Sequence, residues 1–106
     1  MNRFSLFILS ISCIAFSGYS FAEVFTVGQK DKAFTQQSLI IKVGDTVSFK
    51  NEDPFFHNVF SLSDAKLFDL GSFPQGEART VTFDTAGEVE VECAVHPEMV
   101  MTITVQ

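Results

Sequence analysis

The sequence contains no tryptophan, one tyrosine, two cysteines, two histidines and three prolines in 106 residues. Two cysteines exclude a small scaffold stapled by several disulfides. Lys and Arg total 7 against 13 Asp and Glu, a net charge of −6. The chain therefore lacks the basic surface that nucleic-acid binding needs, and the cationic patch that docks on anionic lipid. Sustained helical periodicity is missing too, as are repeats, low-complexity tracts and interdomain linkers. A chain this short makes one domain.

What is present begins with a leader. Met1-Asn2-Arg3 is a short positive start, Phe4 to Phe16 is mostly apolar, and Ser20-Phe21-Ala22 places small residues at −3 and −1 before Glu23. Residues 1–22 read as a secretory signal peptide and 23–106 as the mature, exported domain. The competing reading is a retained anchor, since residues 4–22 come close to the ~20 that span a bilayer. Five serines and a glycine dilute that stretch, however, and no basic residue follows to stop transfer. Cys13 lacks the preceding Leu and small residues of a lipid-attachment site.

Loss of Arg3 with the leader leaves 84 residues with 6 basic against 13 acidic side chains. Of the cysteines only Cys93 remains, together with both histidines, His57 and His96. An exported protein with one thiol has no internal disulfide partner for it. Such a thiol is either a buried passenger or there for chemistry.

Short β-branched and aromatic runs recur through the mature part. In Gly87–Cys93 the three Glu share one face, while Val89, Val91 and Cys93 share the other, as a period of two requires. Met101–Val105 and Thr46–Lys50 alternate in the same way. Further strands are expected over 24–28, 38–43, 57–62, 68–72 and 78–83. Turn signals fall at Gly44-Asp45, Asn51 to Pro54, Pro74-Gln75-Gly76 and Thr85-Ala86-Gly87. Seven or eight short strands predict an all-β sandwich or barrel. Residues 30–37 and 63–67 are connections with room for a turn of helix.

The side chains that bind soft or borderline metals are His57, Cys93, His96, Met99 and Met101, and four of these five lie within residues 93–101. One thiolate, two imidazoles and a thioether make up the donor set of blue-copper sites, with two His and one Cys in a plane and Met at a longer axial distance. Soft sulfur favours Cu(I) and imidazole suits either oxidation state. Zinc accepts Cys and His at similar spacing, but a structural zinc site rarely recruits Met. Each residue alone has an ordinary explanation: buried Cys and Met fill cores, and a single His is usually a surface or hydrogen-bonded residue. The C-x2-H-x2-M spacing directly after an alternating strand favours the joint reading. Met101 fits the inward register of the last strand, so Met99 is the expected axial ligand and Met101 its substitute.

With Asn51-Glu52-Asp53 leading into His57-Asn58-Val59, and with Cys93-Ala94-Val95-His96-Pro97-Glu98-Met99, residues 23–106 resemble the cupredoxins. The likeness is to the small plastocyanin and amicyanin-like branch. The short loop with Pro directly after the second His is similar to amicyanin. The resemblance implies an eight-stranded Greek-key β-sandwich with one type 1 copper ion near one end. It also implies that Asn58 hydrogen-bonds toward the Cys93 loop, and that His96 is the exposed ligand where electrons enter or leave. Phe56 and Val91 depart from the family pattern, which commonly has Pro and an aromatic residue there, and no Gly follows the Met99-Val100 step; none of these removes a ligand.

The expected function is that of a periplasmic, monomeric single-electron carrier, not an enzyme. No nucleophile–base pair, paired-carboxylate pocket or open coordination position is evident. An acidic surface suits a redox partner with a basic docking face, such as a cytochrome or a dehydrogenase. The alternative is a copper-binding module that stores or delivers the metal, and a plain protein-binding sandwich stands behind both.

Overall fold

The computed structural model describes residues 21–106, and no helix occurs among them. The expected leader, residues 1–22, falls almost wholly outside the described residues. No helix of the described residues is long and apolar enough to cross a membrane.

Nine strands follow one another: β1 (Val24–Lys30), β2 (Ala33–Phe34), β3 (Ser38–Ile41), β4 (Thr46–Asn51), β5 (His57–Ser63), β6 (Lys66–Phe73), β7 (Ala78–Thr82), β8 (Gly87–Glu92) and β9 (Val100–Val105). They form two sheets, ordered β2-β1-β4-β7 and β3-β9-β8-β5-β6. β1 runs parallel to β4 and β3 parallel to β9, while the other pairs are antiparallel. The chain changes sheet repeatedly between β2 and β8, which is the Greek-key habit.

The expected all-β sandwich is thus present, with nine strands rather than eight. The additional strand is the two-residue β2. It follows a two-residue turn in which Asp31 and Lys32 both take left-handed backbone angles, φ 56° and 61°. Asp-Lys is not the Asn-Gly pair that usually marks such a turn, so the sequence carried no signal for it. Residues 63–67 hold no helical turn either. β5 runs through Ser63 and β6 starts at Lys66, leaving a tight Asp64-Ala65 link.

The inward alternation fills the space between the sheets. Val47 and Phe49 of β4, Val89 and Val91 of β8, and Met101, Ile103 and Val105 of β9 are all buried. Phe49 packs edge-on against Phe34 and stacks on Phe68, which in turn meets Phe83, with ring centroids 6.1–6.4 Å apart. Each fully buried ring contributes about 1.5–3 kcal/mol by leaving water.

Candidate metal centre

β5 opens with His57 and β8 closes at Glu92. The two strands pair antiparallel through Phe60 and Glu92, so the start of one lies beside the end of the other. Cys93, one residue past β8, keeps the inward side shared by Val89 and Val91 and is buried. The chain then turns back on itself. The Met99 amide donates to the His96 carbonyl at 2.9 Å, and the Cys93 amide donates to the Met99 carbonyl at 3.2 Å. Asn58 Oδ1 accepts from the Ala94 amide at 2.8 Å, tying β5 to this loop.

These elements bring His57, Cys93 and His96 together, with one donor atom from each within 4.8 Å of the others. His57 Nδ1 lies 3.6 Å from Cys93 Sγ. His57 and Cys93 are buried and His96 is partly exposed. On its other side the His57 ring meets Asp53, with Nε2 2.7 Å from Oδ2. A carboxylate only accepts, so Nε2–H donates to Asp53 and Nδ1 is the nitrogen that faces Cys93. His96 Nδ1 is buried and has no hydrogen-bond partner, which is costly for a polar atom without a ligand. Two available imidazole nitrogens and a thiol converging in a largely buried space fit a copper ion.

Asp53 was missed as a functional residue from sequence, where it stood only inside the Asn51-Glu52-Asp53 match. Its oxygens also accept from the Asp31 amide at 2.7 Å and the Lys32 amide at 3.0 Å. Burial pushes this carboxyl group's pKa up and is the largest single influence. The bonds from His57, Lys32 and Asp31 together outweigh it and hold the group below the ordinary carboxylate value. A histidine that uses one ring nitrogen for a metal needs a partner for the other, and Asp53 is that partner for His57. Asn51, fully buried, shapes the loop in between. Its Oδ1 accepts from the Asp53 amide at 2.8 Å, and its Nδ2 donates to the carbonyls of Phe55 at 2.8 Å and Phe73 at 3.0 Å.

Phe55 was missed as well. Its ring lies 5.2 Å from that of His57 and 5.4 Å from that of His96, and it screens both. Met99 and Met101 are equally buried. Met101 sits in β9 opposite Val91, whereas Met99 closes the loop just before that strand. At the open edge, Lys32, Val95, His96, Pro97 and Glu98 line a shallow depression of about 320 Å³.

A family described as copper binding proteins, plastocyanin/azurin family, matches residues 22–106. No curated protein matches the sequence. Among solved structures, a copper-containing nitrite reductase (NirK) from Thermus scotoductus superposes with a TM-score of 0.73 and 28% identity, over 84% of this chain and 23% of its own. The chain thus spans under a quarter of that enzyme. An oxidised amicyanin mutant gives a TM-score of 0.73 at 26% identity, over 78% of this chain and 82% of its own. A Cu(I) amicyanin mutant gives 0.72 at 24% identity, over 85% and 87%.

Proposed function

Because the chain belongs to the plastocyanin/azurin family of copper-binding proteins, we propose that it is an exported, periplasmic electron carrier whose single copper ion is held by His57, Cys93, His96 and Met99. The observation that carries this reading is the buried convergence of Cys93 Sγ, His57 Nδ1 and the otherwise unpartnered His96 Nδ1. Copper bound by such a set would supply one-electron chemistry between Cu(I) and Cu(II).

The protein's part is to keep its donors still. Asp53 fixes the His57 ring, Asn58 and the Met99–His96 bond fix the ligand loop, and burial keeps water from the thiolate. Donors that move little between oxidation states lower the reorganisation that electron transfer requires. Met99 would supply the thioether donor, because Met101 belongs to the inward register of β9, opposite Val91. A metal held by His57, Cys93, His96 and the Met99 thioether would have no free position for a substrate, which favours a carrier over an enzyme. His96, the partly exposed donor, is the proposed point of entry and exit for electrons.

The charge distribution supports a basic redox partner, a cytochrome or a dehydrogenase. Cross-strand neighbours share a face, and on the outer face of the five-stranded sheet Glu88, Glu90 and Glu92 of β8 stand near Asp69 of β6. None of these forms an ion pair within the described residues. Leu62 and Leu67, paired across β5 and β6, are exposed on the same face. Association that slows by about tenfold or more on adding salt is the expected mark of such steering; salt-independent rates would remove this partner. Like charge on that face also favours a monomer.

The test is to load the protein with Cu(II) and record visible absorption and EPR, with Cys93→Ser as control. A strong blue thiolate-to-copper band with narrow copper hyperfine splitting, lost in the variant, is expected. A pale, ordinary Cu(II) spectrum or a preference for zinc would overturn the reading. Exchange with a chelator separates a carrier, which holds its metal for hours, from a delivery protein, which yields it in seconds.

A further inference from the structure

Asp53 is 3% exposed, and its carboxylate is shared between two places. One is His57 Nε2, at 2.7 Å. The other is the turn between β1 and β2, whose Asp31 and Lys32 amides reach it at 2.7 and 3.0 Å. Both turn residues hold positive φ without being glycine, a conformation that Asp tolerates and that Lys32 keeps at a cost its surroundings must offset. A carboxylate that takes both amide hydrogens does so. The turn in turn places Lys32 at the open edge of the metal centre. Its Nζ lies 6.0 Å from the Phe55 ring centroid, and Lys32 lines the depression beside His96.

We infer that Asp53 is a positioning residue coupling the metal centre to the β1–β2 turn: one buried carboxylate fixes which nitrogen of His57 faces Cys93 and holds the cation-bearing rim beside His96. This rests on the copper-binding function proposed above. A metal taken at His57 Nδ1 draws electron density from the ring and makes Nε2–H a stronger donor to Asp53. The hold on the turn changes with it. Linkage makes the effect reciprocal, so a loosened turn loosens the hold on His57.

The experiment uses the full chain with and without copper. Three variants are compared with wild type: Asp53→Asn, the turn pair Asp31→Asn with Lys32→Gly, and all three changes together. The turn pair installs residues that adopt left-handed angles without help, and so keeps a folded protein available if Asp53→Asn alone does not fold. Loss of the anion behind His57 disfavours Cu(II), and the expected shift toward Cu(I) is about tenfold, equivalent to about +59 mV for a one-electron couple. Amide hydrogen exchange at positions 31 and 32 is expected to slow when wild type takes up copper, and to lose that response in Asp53→Asn. The turn pair is the reference for loss of the Lys32 charge; against it, the triple variant keeps the upward shift of potential that Asp53→Asn causes. An unchanged potential in a folded, loaded Asp53→Asn protein overturns the inference, and so does a triple variant whose potential equals that of the turn pair. Wild type that forms no blue site overturns the proposed function and this inference together. A blue wild type with an unaltered Asp53→Asn protein overturns the inference alone.

Discussion

Replacing Asn51 with alanine is the most demanding test of how the loop before His57 is built. The side chain is wholly buried and makes three hydrogen bonds of 2.8–3.0 Å, two as donor to the Phe55 and Phe73 carbonyls and one as acceptor from the Asp53 amide. Each bond has a net worth of about 0.5–1.5 kcal/mol, and a buried group left without a partner costs about 1–3 kcal/mol. Some of the freed groups relax toward water, so the expected loss is about 3–5 kcal/mol, a large share of the roughly 5–15 kcal/mol that stabilises a domain. At about 4–8 °C per kcal/mol for a domain of this size, Tm falls by at least about 12 °C. Far-UV circular dichroism of the copper-free protein follows the transition, since residues 21–106 contain no Tyr or Trp to report by fluorescence. Asn51→Asp is expected to do no better, because a carboxylate cannot donate to the two carbonyls. A fall below about 4 °C, or less than about 1 kcal/mol, for Asn51→Ala refutes the reasoning.

Three further outcomes are expected. The Asp45 carboxylate accepts from the Glu23 amide at 2.9 Å and the Lys42 amide at 2.8 Å, and these bonds, that from Glu23 foremost, hold its pKa below the ordinary value. Its contribution is therefore complete above about pH 4 and is lost as the pH falls through the lowered folded-state pKa; urea titrations from pH 7 to pH 2 check this, with Asp45→Asn less stable at pH 7 and flatter in acid. Gly87 opens β8 at φ +145°, and a Cβ there would lie 2.8 Å from that of Ala65, so Gly87→Ala is expected to destabilise by about 1–3 kcal/mol in denaturant midpoints; a neutral result removes the steric argument. Met99→Leu is expected to alter the blue-band spectrum and raise the reduction potential. Met101→Leu changes neither and costs under about 1.5 kcal/mol, and reversed results would make Met101 the axial donor.

Legibility from sequence followed the range of the interaction. β4, β8 and β9 each bury one face against the core, so Val47/Phe49, Val89/Val91 and Met101/Ile103/Val105 announce themselves by alternation. β6 starts at Lys66, before the expected residue 68, because Lys66 and Leu67 owe their extended form to pairing with Ser63 and Leu62 and not to burial. β3 ends at Ile41 and not at residue 43, because Lys42 and Val43 lead into the turn at Gly44. β2 is two residues long, and no pattern can be read from two. In the site, Cys93, His96 and Met99 are local in sequence and stand out by spacing. The role of Asp53 depends on a turn 21–22 residues earlier in the chain, which only the β1–β4 pairing brings within reach. Asn51 was visible as a turn residue, but its bond to Phe73 crosses from β4 to the far end of β6 and has no sequence signature.

The proposed donors divide three to one along the chain. Cys93, His96 and Met99 belong to one short loop, while His57 lies 36 residues before Cys93. An unfolded chain therefore still offers copper a three-point local chelate, and a metal that binds the unfolded state stabilises the folded one by less than its native affinity implies. What the native state adds is His57, which arrives only when β5 and β8 pair. Copper bound to the loop before β5 and β8 pair would stabilise incomplete structures as well as complete ones. Folding first and metallation second is the order that gives the finished site its full advantage over the chelating loop.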